Sequence, residues 1–220
     1  MGGPRLPASA ANRSWLRVTR RGPPFAAASA ALAVTLSGCA VPVAAPPLPA
    51  GVRDIAVLPT SNQTGRVLEV EYGGLLNLIV AARTLTVPEV LDESLRAELR
   101  ARGFVVAEPA TVTRAVGETP PTSVREAVDL TVRCRPAPVA LFIVLEQWEP
   151  DLGPANNFVD VALEAWLIDA PRGRVIWTYR RRLQPVPTQG MPNVGEAYVA
   201  AARQLADDLV ATWRPSSPNP

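Results

Sequence analysis

Histidine and lysine are both missing from these 220 residues. Without histidine there is no imidazole general base, no Ser-His or Cys-His nucleophile pair and no His-liganded metal. All 22 basic residues are therefore arginine, which together with abundant Ala, Pro and Val points to a GC-rich genome more than to a functional choice. Cysteine is scarce as well. Cys39 and Cys134 are the whole supply, too few for a disulfide framework or a thiolate zinc site. Cys134 reads as a small apolar side chain at a helix end, and neither a metal nor a cofactor is expected. Long apolar runs are absent too: the stretch from Phe25 to Leu36 covers twelve residues, and a membrane-spanning helix needs about 20. It reads as the apolar core of an export signal, with Arg13, Arg17, Arg20 and Arg21 as its positive flank.

That run ends in Leu36-Ser37-Gly38-Cys39, which resembles the lipobox of bacterial lipoproteins. The resemblance implies that the Cys39 sulfur receives a diacylglyceryl group and that the chain is cut just before it, with Leu36, Ser37 and Gly38 as the signal the peptidase reads. Residues 1–38 are then a signal peptide. Thr19-Arg20-Arg21 resembles a twin-arginine export motif, but Gly22-Pro23-Pro24 stands where that motif is apolar, so ordinary secretion is favoured. Of the arginines, 17 follow Cys39, as do all 20 acidic residues. The mature chain is acidic, and the apparent pI of 8.8 comes from the leader, so it is no argument for nucleic-acid binding. Residues 39–52, with Pro42, Pro46, Pro47 and Pro49, are expected to be a lipidated cysteine and an extended tether. In lipoproteins that this chain resembles, Asp after the cysteine marks inner-membrane retention. Ala40 stands there, which favours the outer membrane.

The remaining residues suffice for one core. Residues 53–214 are expected to form a single α/β domain, and 215–220 a disordered tail. Ile55-Ala56-Val57-Leu58 is a continuous apolar run and predicts a strand buried on both faces. Pro88, a Leu91-Leu95-Leu99 repeat and Gly103 predict a helix, with Asp92–Arg96 and Glu98–Arg102 as pairs on its wet side. Phe104 to Ala107 then closes a parallel β-α-β unit. Leu75 to Val80 suggests a short helix, residues 109–116 another, and Ser123 with Glu126 a capping box for a third ending near Arg133. From Val139 the period becomes two. Strands over 139–148, 158–169 and 175–183 form an antiparallel meander, the second with Val159, Val161, Leu163, Ala165 and Leu167 inward. Asn193 caps a closing helix with Tyr198, Ala202, Leu205, Leu209 and Trp213 on one face.

Arg53 to Gly65, Tyr72-Gly73, Gly103-Phe104 and Gly173-Arg174-Val175-Ile176-Trp177 together resemble envelope lipoproteins of the neisserial-type surface lipoprotein family. They also resemble the curli-secretion lipoprotein, the amino-terminal domain of the Tol–Pal translocation protein and the penicillin-binding-protein activator lipoproteins. The resemblance implies an anticodon-binding-domain-like α/β fold whose members bind partners and do not catalyse. The expected function is a non-enzymatic, lipid-anchored envelope protein, facing the periplasm and docking on an envelope protein or a peptidoglycan-associated partner. A homo-oligomer stays open, as does an auxiliary role beside an envelope transporter. Trp166, Trp177 and Tyr179 are the candidate partner-binding patch, against the plainer reading that they cover the sheet. Arg180-Arg181-Arg182 is either a solvated strand end or an anion-binding strip. The rival function is a cell-wall glycan hydrolase using two of Glu146, Glu149, Asp151 and Glu164, since paired carboxyls can cleave glycosides without histidine.

Overall fold

A computed structural model describes residues 45–70, 85–117, 119–152, 157–188, 193–211 and 213–215. The expectations for the leader, Cys39, Tyr72-Gly73, the helix at 75–80 and residues 216–220 lie outside these. The described residues form a mixed sheet with helices on both faces, the α/β class expected. Its strand order is β5-β1-β6-β7-β8, with β2 (Ser61–Asn62) continuing along β6. A separate ribbon pairs β3 (Glu69–Val70) with β4 (Leu85–Thr86). No described helix is long and apolar enough to cross a membrane.

Strand β1 (Asp54–Val57) lies parallel to both β5 (Val105–Val106) and β6 (Val139–Asp151). Its apolar run is buried on both sides, as expected of a central parallel strand. Helix α1 (Val87–Ala101) connects β1 to β5 and packs beside α4 (Val194–Val210) on one face of the sheet. Leu91, Leu95, Leu99, Leu205 and Leu209 from these helices meet the inward row of β7 (Phe158–Asp169) there. On the other face, α2 (Pro109–Val116) and α3 (Val124–Cys134) cover Ala56, Leu58, Ala140, Phe142 and Ile168 in a smaller core. Ser123 caps α3 as expected, and Asn193 caps α4 by accepting from Glu196 N at 2.8 Å.

Strands β6, β7 and β8 (Arg174–Pro187) form the antiparallel meander, longer than the alternation indicated. Three irregularities reset its phase, one of them between Val161 and Leu163 against β8. A bulge between Leu145 and Gln147 brings Trp148 into the same core as Leu141 and Ile143, although its parity is opposite. The third, between Leu167 and Ile168 against β8, puts Val175 and Trp177 on different faces.

The tether expectation changes from Ala45 onward. Ala45 and Val52 are buried, Leu48 packs on the main core, and Trp177 donates its indole N–H to the Pro46 carbonyl at 3.0 Å. The pair on the wet side of α1 is also corrected: Asp92 is 6% exposed.

Candidate functional site

The residues expected to form one aromatic patch are divided by the sheet. Trp177 lies opposite Leu167 and Tyr179 opposite Ala165, so both point into the α1/α4 side. Trp177 is buried, edge-on to Trp213 at 5.0 Å, and its other neighbour is Tyr179 at 6.1 Å. Trp166 stands on the opposite face, stacked on Phe142 at 5.7 Å beside α2 and α3. The covering role is the one these rings fill.

The carboxylates proposed for glycan hydrolysis fall into two groups. Glu164 binds Arg180 Nε at 3.0 Å and Glu146 reaches Arg180 Nη2 at 3.7 Å, so one guanidinium holds both. Glu149 lies across from Asp160, which burial and then the charges of Asp151 and Glu149 push above its ordinary pKa. Arg180 is thus occupied, Arg181 is buried against Asp208 at 3.8 Å, and the triple arginine presents no continuous strip.

The structure assembles a different site at the carboxyl ends of β1 and β5. The loop after β1 leads toward the α1 face, whereas the loop after β5 enters α2 on the other face. Adjacent parallel strands whose loops part in this way open a crevice, the usual ligand position in such sheets. Helix α1 is fixed at the rim by a reciprocal cap: Glu89 N donates to Thr86 Oγ1 at 3.5 Å, and Thr86 N donates to Glu89 Oε2 at 2.9 Å.

One turn further, Asp92 reaches under the loop. It accepts the Thr60 hydroxyl at 2.6 Å and the Thr60 backbone N–H at 3.2 Å. Arg96 lies 4.0 Å away and donates to the Val57 carbonyl at 3.4 Å. Burial pushes the Asp92 carboxyl up to about 6, against the lowering effects of the Thr60 hydroxyl, Arg96 and the Thr60 amide. Two grooves meet at this residue. One of about 750 Å³ runs between α1 and α2, lined by Arg96, Arg100, Glu108 and Thr113 among others. The other, of about 690 Å³, is lined by Thr60, Asn62, Arg66 and Thr122. Glu89 and Pro59 border both. The loop is held by Asn62, whose Oδ1 accepts from Thr64 N at 3.1 Å and whose Nδ2 donates to the Arg66 carbonyl at 2.8 Å.

Of these residues, the sequence pointed to the polar loop and to the Asp92–Arg96 pair, but not to their meeting. The arrangement offers hydrogen-bond donors and acceptors around a buried carboxyl, the composition of a binding site more than of a nucleophile or metal centre. Among the described residues no cluster of His, Cys, Asp and Glu could hold a metal ion.

No family model matches the chain. No curated protein matches it either. Solved structures resemble it in outline. A PelC dodecamer from Paraburkholderia phytofirmans is 19% identical, with 79% of this chain and 95% of that chain covered and a TM-score of 0.42. Lipoprotein GNA1162 from Neisseria meningitidis is 19% identical over 64% of this chain and 86% of that chain, at a TM-score of 0.39. The C-terminal domain of LpoB from Salmonella enterica is also 19% identical, over 61% and 86%, at 0.38. The solved structures that the chain resembles thus include a bacterial lipoprotein.

Proposed function

We propose that the protein is a non-enzymatic, lipid-anchored component of a bacterial cell envelope, placed in the outer membrane and facing the periplasm, whose α/β domain binds another envelope component. The observation that carries the reading is Leu36-Ser37-Gly38-Cys39 at the end of a short apolar run, six residues before the buried Ala45. A thiol at that place is a lipid acceptor, and the adjacent small residues suit a peptidase groove. The binding role is supported by the crevice beside Asp92. A hydrolytic role is disfavoured because Glu146 and Glu164 are both bound to Arg180. The partner is an envelope protein or a peptidoglycan-associated component.

The test is membrane fractionation with intact-mass analysis of wild type and Cys39→Ala, expressed in a bacterium with the lipoprotein-processing enzymes. The expected result is a membrane-bound wild type whose mass fits an acylated chain from Cys39 to Pro220, and a variant that is unprocessed or released. An unmodified Cys39, with the variant behaving as wild type, would overturn the reading.

A further inference from the structure

We infer that the end of the domain carrying the docked segment is a surface for anionic phospholipid headgroups, and that it lays the domain on the bilayer with the Asp92 crevice facing away. The inference rests on the lipid-anchor reading above and adds an orientation to it.

The register of the sheet defines this end. Ile55 lies beside Val139, Val139 opposite Asp169, and Asp169 opposite Arg174, so the start of β1, the start of β6 and the β7–β8 turn form one row. The helices add their last turns. Arg102, capping α1, donates to the Ala211 carbonyl just after α4 at 3.0 Å, and a side chain on Gly173 would meet Val132 of α3. The docked segment arrives at the same end, since Pro46 is bound by Trp177, which packs on Trp213.

Exposed arginines crowd here: Arg53, Arg133, Arg135, Arg172, Arg174 and Arg214. The acids at this end are Asp54, Glu98, Asp169, Asp207 and Asp208, the last of them 3.8 Å from Arg181. Arg172 occupies Asp169 at 2.8 Å, and Arg102 binds Asp207 at 2.6 Å and Glu98 at 3.8 Å. Arg53, Arg133, Arg135, Arg174 and Arg214 form no ion pair with a described residue, although Arg174 is close enough to lower the pKa of Asp169. At the opposite end stand Glu89, Asp92, Glu93, Glu126, Glu149 and Asp160, with Arg66 and Arg125 among them, while Glu108 is held by Arg100 of the last turn of α1 at 3.1 Å. The chain after Cys39 has more acids than arginines, so its attraction to an anionic surface depends on this separation.

Chain length fixes which end meets the membrane. Residues 40–44 are all that separates Cys39 from the buried Ala45, and at about 3.5 Å per residue they reach roughly 20 Å. A lipid on Cys39 therefore keeps the basic end close to the headgroups, within a small multiple of the ~8–10 Å screening length. Guanidinium groups pair well with phosphate esters. A polybasic patch is the usual second signal beside a lipid chain, and here it sets direction as well as affinity.

The test uses the full lipidated protein in vesicles, with Cys134→Ala and a fluorophore on a cysteine introduced as Pro171→Cys at the basic end or Ala110→Cys at the crevice. Quenching by a nitroxide on the lipid headgroup is read in phosphatidylglycerol-rich and in pure phosphatidylcholine vesicles. On phosphatidylglycerol, the label at position 171 is expected to be quenched severalfold more strongly than that at 110. High salt, phosphatidylcholine, or the combined substitution of Arg53, Arg174 and Arg214 by Glu should reduce that difference. Equal quenching at both positions on phosphatidylglycerol overturns the inference, as does a difference indifferent to salt, lipid and charge reversal. The salt and lipid arms need no charge variant to fold. Protein that fails to float with any vesicle removes the anchor itself, an outcome distinct from a protein that floats without a preferred orientation.

Discussion

Asp92 is a carboxyl held beneath a loop, and its pH dependence runs opposite to that of an ordinary salt-bridged acid. Burial raises its pKa in the folded protein to about 6, from an ordinary value of 3.8. The folded state therefore holds the proton more tightly than the unfolded chain. The stability this contributes is fully present below about pH 4 and is lost as pH rises through about 6. Asp92→Asn keeps a carbonyl to accept the Thr60 hydroxyl and removes the titration. The stability of wild type relative to Asp92→Asn is expected to fall between pH 4 and 6.5, by an amount on the order of 2 kcal/mol, and to level off above. Urea midpoints of both proteins across that range measure it, and a flat or rising difference would contradict a buried, desolvated carboxyl. The sequence could not reveal this. Asp92 and Arg96 have the i,i+4 spacing of a solvated pair, whereas the groups that bury and bind Asp92 come from Thr60, 32 residues earlier.

Among the elements, α1 shows how a local signal can be read for the wrong feature. Pro88 and the leucine repeat located the helix, yet the device that starts it is Thr86 with Glu89. Thr86→Ala removes the hydroxyl that receives Glu89 N, so it is expected to cost roughly 1 kcal/mol. Because the cap sits at the mouth of the crevice, the change should also raise amide exchange in the first turn of α1 while leaving β6 and β7 protected. Exchange that rises uniformly would mean the helix start is not a local unit. The long strands were legible because their alternation is sustained, and β1 and β5 because short apolar runs flank a clear helix. Strands β2, β3 and β4 have two residues each and carry no periodic signal. The aromatic patch failed for a related reason. Period two holds only between bulges, and one bulge before Trp177 is enough to turn β8 over relative to Trp166.

At the scale of the whole molecule, composition proved a poor guide to where the domain begins. Four prolines among residues 40–52 suggested a segment unable to pack, but proline removes only a backbone donor and leaves the neighbouring carbonyl to accept. Pro46 does so, and Ala45, Leu48 and Val52 join the same apolar core as Trp177 and Trp213. The segment is then part of the fold. A chain beginning at Arg53, compared with one beginning at Ala40, should lose roughly 3–5 kcal/mol. Of this, ~1.5–3 kcal/mol belongs to a buried aliphatic side chain such as Val52, and ~1–3 kcal/mol to the indole N–H left without its acceptor. Urea denaturation gives the difference, and tryptophan emission should shift to the red in the shorter chain as Trp177 and Trp213 meet water. Equal stability of the two chains would make the segment a free tether. The distance between anchor and domain would then grow from 5 intervening residues to 13, long enough for the domain to tumble above the membrane without a preferred face.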